Sequence, residues 1–143
     1  MSNKIVYNSR YGGFSLNNDV MRLYLFKAGR EFYEVPSAST FSRGSEFYKT
    51  QPSQEVLDYE SDIILDFEGL SDADREWVSE NRLSAYMNIE RHDPHLVAAV
   101  EELGEDKTDD LRVAEIDSNQ YIINEYDGLE AVVVPDDLEW ITI

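Results

Sequence analysis

The sequence predicts an α+β fold, and three observations carry that prediction. Residues 93–104 read D-P-H-L-V-A-A-V-E-E-L-G, a capped helix with apolar residues at helical spacing. Downstream, L-R-V-A-E-I reads as a strand, and Q-Y-I-I-N-E-Y and L-E-A-V-V-V, joined by Asp127-Gly128, read as a hairpin. A chain of 143 residues is long enough for one domain to bury a sizeable core without staples. The expectation is a single α+β domain over residues 1–143. In it a mostly antiparallel C-terminal sheet packs against the Asp93–Leu103 and Val20–Ala28 helices.

Taken in order, Lys4 to Ser9 predicts the first strand, because Ile5, Val6 and Tyr7 are β-branched or aromatic. Gly12-Gly13 then frees the backbone to turn, and Ser15, Asn17 or Asn18 can cap a helix. Over Val20–Ala28 the apolar residues are too dense for a narrow stripe, so this helix is expected to be covered on more than one side, and Gly29 ends it. Glu31–Val35 reads as a short strand. Pro36–Ser53 reads as a long loop anchored by Phe41, Phe47 and Tyr48. Gln54–Phe67 fits a helix, with Asp58, Asp62 and Asp66 one turn apart, and equally a strand through D-I-I-L-D-F.

Ser71 is the expected N-cap of a helix over Asp72–Asn81, with acids in its first turn and Trp77 and Val78 facing inward. Ala85–Glu90 reads as a strand. Asp93 caps the next helix, Pro94 suits its first position and Gly104 stops it. Glu105–Asp110 follows as a solvated turn, then the strand Leu111–Ile116, the hairpin, and a last strand over Leu138–Ile143. Residues 36–80 stand out as an insertion or specialised acidic segment.

The net charge is −18, unevenly spread: residues 1–53 balance at +3 and residues 54–143 hold −21. Such a field repels nucleic-acid backbones and favours encounter with basic partners, so direct nucleic-acid binding is not expected. Proteins adapted to salty surroundings show the same composition. With no cysteine, disulfides and thiolate metal sites are excluded. No apolar run approaches the roughly 18 residues of a membrane span, and the first ten residues lack the apolar middle of a signal peptide, so a cytoplasmic protein is expected.

Candidate chemistry is sparse. Arg10, Tyr11, Gly12, Gly13 and Phe14 lie between a strand and a helix, where backbone N–H groups can hold an anion, with Arg91 as a second cation. A tight turn that needs glycine for packing explains the same residues, and an internal carboxylate partner explains Arg91. His92 and His95 are the only histidines; with Asp93 or Glu90 they could form a metal pair, but Asp93 is committed as a cap, so no metal or cofactor is expected. Asp117 onward lacks the glycine and glutamate of an EF-hand loop. The sequence also lacks G-x-S-x-G and H-E-x-x-H motifs. Asp58, Asp62 and Asp66, continued by Glu68, Asp72, Asp74 and Glu76, form the candidate acidic face, which otherwise reads as a solvated helix side.

Three segments together carry a resemblance: K-I-V-Y-N-S-R-Y-G-G-F-S-L-N, R-H-D-P-H-L-V-A-A-V-E-E-L-G, and L-R-V-A-E-I-D with Y-I-I-N-E-Y-D-G-L-E. In these the chain resembles a group of small proteins of unknown function from bacteriophages and large DNA viruses. The likeness covers about half the chain, departs at Asn17, where the group usually carries serine, and leaves Glu31–Met87 unexplained. It implies origin rather than activity. A site shared with the group would include Tyr11, Gly12, Gly13, Phe14, Arg91 and Asp93. The leading expectation is therefore a non-enzymatic phage host-takeover or anti-defence protein that binds a basic host protein surface, including as an acidic nucleic-acid mimic. The alternative is a module that captures a nucleotide-like anion at Arg10–Phe14, and an enzyme comes third.

Overall fold

The computed structural model describes residues 2–37, 44–60, 70–83 and 89–137. The chain divides into one unit of Met1–Ala28 with Asn88–Ile143 and a second of Gly29–Met87. The class is the expected α+β, and every described strand pairing is antiparallel.

In the first unit, strand β1 (Asn3–Asn8) places Ile5, Val6 and Asn8 in the interior. It leads through the Gly12-Gly13 turn to helix α1 (Asn18–Lys27), which buries Val20, Met21, Tyr24 and Leu25 while leaving Phe26 exposed. Asn17 is the N-cap: its Oδ1 accepts from the Val20 N–H at 3.0 Å, and its amide donates to the Lys107 carbonyl at 2.8 Å. A serine there has one short hydroxyl in place of that two-ended amide. Gly29, at φ +67°, follows the last turn.

The unit resumes with the helix read from R-H-D-P. After the mid-chain helices and strands given below, α4 spans Pro94–Leu103 and buries Leu96, Val97, Ala99 and Val100 against α1, β1 and the strand that follows. Asp93 Oδ1 accepts from His95 N–H at 2.8 Å and Leu96 N–H at 3.4 Å, with Pro94 at the first turn. Asp93→Ala is expected to lower stability by about 1 kcal/mol, measured by urea denaturation.

The expected solvated turn after α4 is more ordered than its charge suggests. Glu105–Lys107 forms a 3-10 turn, and Thr108 is fully buried, its hydroxyl donating to the carbonyls of Glu105 and Leu111. Strand β5 (Leu111–Ile116) then pairs along the whole of β1, and β6 (Ile122–Tyr126) with β7 (Leu129–Val133) forms the hairpin, β7 lying against β1. Asp127 at φ 51° and Gly128 at φ 86° give the left-handed pair that the two-residue turn requires. Expected final strand Leu138–Ile143 lies outside the described residues.

The second unit contains residues 36–80 whole. Strand β2 (Tyr33–Ser37) pairs with β3 (Gly44–Tyr48), and β3 pairs with the two-residue β4 (Arg82–Leu83). The loop expected over Pro36–Ser53 is therefore corrected: its second half holds a strand, because Phe47 and Tyr48 are core residues rather than loop anchors. Phe41 lies outside the described residues. Gln54–Glu60 is helix α2, which settles that part of the helix-or-strand ambiguity, and residues 61–67 lie outside the described residues. Helix α3 (Asp72–Asn81) has the expected Ser71 cap, whose Oγ accepts from the Asp74 N–H at 3.1 Å. Val35, Tyr48, Val56 and Val78 form this unit's core, with Leu57 and Trp77 packed on it. Of the strand expected at Ala85–Glu90, residues 85–88 lie outside the described residues, and Ile89 and Glu90 carry no strand.

Candidate functional site

The glycine turn and the hairpin turn, 115 residues apart in sequence, are fitted to one another in the first unit. The Gly12 N–H donates to the Asp127 carbonyl at 3.2 Å, and a Cβ on Gly128 would lie 2.1 Å from the Gly13 nitrogen. Asn8 ties both sides, its amide donating to the Gly128 carbonyl at 2.8 Å and the Arg10 carbonyl at 2.7 Å. Glycine at 128 thus answers a close approach of two backbones as well as a positive φ.

Arg91 and Glu130 close this joint. The guanidinium donates from Nη1 to Oε1 at 2.6 Å and from Nη2 to Oε2 at 2.9 Å, while stacking 3.5 Å from the centre of the Phe14 ring. Glu130 Oε1 also accepts from the Asn8 N–H at 2.8 Å, and the Arg91 carbonyl accepts from the Val6 N–H. The Glu130 side chain is 4% exposed, so its charge depends on this pairing. Phe14, Arg91 and Glu130 come from three segments far apart in the sequence, and they meet here.

The meeting reassigns the anion-binding candidates. Arg91 has its internal carboxylate, and the Gly12 N–H is taken by Asp127, so both act in joining the two turns. Arg10 and Tyr11 remain exposed beside the joint, and Gly13 and Phe14 are half-buried. Asp93 caps α4. In the sequence Glu130 is one carboxylate among thirty; its place on β7, facing Arg91 and Asn8, is what singles it out.

The described residues contain no group of three or more His, Cys, Asp or Glu able to hold a metal ion. Instead His92 lies between Tyr121 and Glu90, with Nδ1 2.7 Å from the phenol oxygen and Nε2 3.1 Å from Glu90 Oε2. In the tautomer that carries its proton on Nε2, the ring donates to Glu90 and Nδ1 accepts from the Tyr121 hydroxyl. Burial first, then the Glu90 charge, raises the Tyr121 pKa against an opposing pull from Arg91. The phenol therefore keeps its proton at neutral pH and anchors the ring, edge-on to His92.

The acidic-face candidates divide. Asp58 on α2 and Asp72 and Glu76 on α3 are exposed, Asp74 is half-buried beside the cap, and Asp62, Asp66 and Glu68 lie outside the described residues. Glu80 extends the α3 series, giving exposed carboxylates at Asp72, Glu76 and Glu80, one turn apart and away from Val78. No described helix is long and apolar enough to cross a membrane. Family models, curated proteins and solved structures yield no match to this chain.

Proposed function

We propose that this chain is a non-enzymatic interaction protein of bacteriophage or large DNA virus origin that binds a basic surface on a host protein. Where that surface is a nucleic-acid groove, the carboxylates stand in for backbone phosphates. The observation that carries this reading is the α3 series Asp72, Glu76 and Glu80, exposed and followed by no basic residue in the last turn. A carboxylate at that end opposes the helix dipole by about 0.3–1 kcal/mol, and like charges four residues apart add to the penalty. Asp72 lies in the favourable first turn with Arg75 4.0 Å away, but Glu76 and Glu80 gain no such support from the helix, and an arriving cation relieves both terms. The origin rests on the three resembling segments, whose residues form the joint of the first unit.

Affinity purification from host lysate is expected to recover a nucleic-acid-binding protein. Capture should weaken steeply as salt rises from about 0.05 to 0.2 M, and D72K/E76K/E80K should abolish it. Capture indifferent to salt and to the triple reversal would sink the proposal.

A further inference from the structure

The hairpin turns its apolar side outward. Ile122, Asn124 and Tyr126 alternate onto one face of β6, opposite Val133, Ala131 and Leu129 of β7. Ile122 is 57% exposed and Tyr126 76%, and Ala131 is exposed too. The other face holds half-buried Ile123 and Val132, exposed Glu125, and Glu130, which is buried against Arg91 and Asn8. The solvent side of a half-buried antiparallel hairpin is ordinarily polar, whereas here Ile122, Tyr126 and Ala131 occupy it. At its open end Ile122 and Val133 help line a hollow of about 450 Å³ with Tyr121, Val134 and Pro135.

Charge identifies what would cover this face. Between Val113 and Asp137 the sequence has seven acids and no lysine or arginine. One of the seven, Glu130, is paired with Arg91, while Asp127 is exposed next to Tyr126 and Asp117 and Asp136 border the open end. A second copy of a chain carrying −18 would bring its own repulsion to the same place.

We infer that the outer face of the β6–β7 hairpin is a docking surface for an extended basic segment of another protein, one in which apolar residues alternate with Lys or Arg. The apolar residues lie on Ile122 and Tyr126, with one seated in the hollow, and the cations meet the acidic rim. This rests on the proposed binding of basic surfaces and adds to it an apolar anchor that charge alone does not supply.

Two synthetic peptides of equal charge test it by fluorescence anisotropy: alternating Leu–Lys, and alternating Gly–Lys. The Leu–Lys peptide is expected to bind at least about tenfold more tightly. The preference should vanish in I122S/Y126S and persist in F26S, a control at the exposed Phe26 of α1. All three substitutions replace solvent-exposed residues, and a thermal melt of each variant verifies folding. Equal binding of both peptides, unchanged in I122S/Y126S, would overturn the docking surface and leave binding by charge intact. Binding of neither peptide would overturn both. A dimer in sedimentation that dissociates in I122S/Y126S would assign the face to a second copy and overturn the inference.

Discussion

Replacing Glu130 with alanine is expected to lower unfolding free energy by about 3–5 kcal/mol, a large share of the stability of a chain this size. The reason is what the truncation leaves behind. Arg91, whose side chain is 19% exposed, would remain stacked on Phe14 with no counter-charge, and the buried Asn8 N–H would lose its acceptor. E130Q keeps the shape and an acceptor oxygen, so its cost should be smaller. R91A strands the carboxylate instead and should cost as much as E130A. The double variant R91A/E130A should therefore be less destabilised than the sum of the two, because neither charge is left alone. Urea denaturation of the four proteins gives the cycle, and an E130A loss below 1 kcal/mol with additive effects would refute the coupling.

That pair also shows what the sequence could and could not disclose. Caps and turns were legible because their chemistry is local: Asp93-Pro94, Ser71, Asn17 and Asp127-Gly128 each do what their residue types require within a few positions. Arg91 was legible as an unusual cation, and internal pairing was one of its two readings. Its partner was not, since Glu130 lies 39 residues away among many acids and no local rule selects it. The fit of Gly128 against Gly13 was hidden for the same reason. Pro36–Ser53 misled because its Ser, Thr and Gly content outweighed Phe47 and Tyr48, which tertiary burial places in a strand. The outward apolar face of the hairpin could not be read either, because alternation fixes two faces without saying which one meets the core.

The second unit rests on a buried polar group of its own, and Glu60→Ala is expected to cost about 3 kcal/mol there. Glu60 on α2 is 1% exposed and accepts from the Tyr48 hydroxyl and from Arg82 Nη2, while Arg82 also faces Glu46 at 3.5 Å. Tyr48 is itself fully buried and stacked on Trp77, so α2, α3, β3 and β4 all converge on this carboxylate. Burial, and next the hydrogen bond to Glu60, raise the Tyr48 pKa well above its usual 10.0, with Arg82 pulling the other way. For Arg82, burial acts to lower the pKa, and the bond to Tyr48 with the charges of Glu46 and Glu60 outweighs it. The folded chain therefore keeps the Tyr48 proton where the unfolded chain releases it. Its contribution is whole below about pH 10 and is lost as pH rises beyond that value. Tyr48→Phe should cost about 1–2 kcal/mol at pH 7, from the hydrogen bond it removes, yet decline less steeply in alkali than the parent. Parallel alkaline limbs for the two proteins would mean that Tyr48 is not the group whose proton the fold protects.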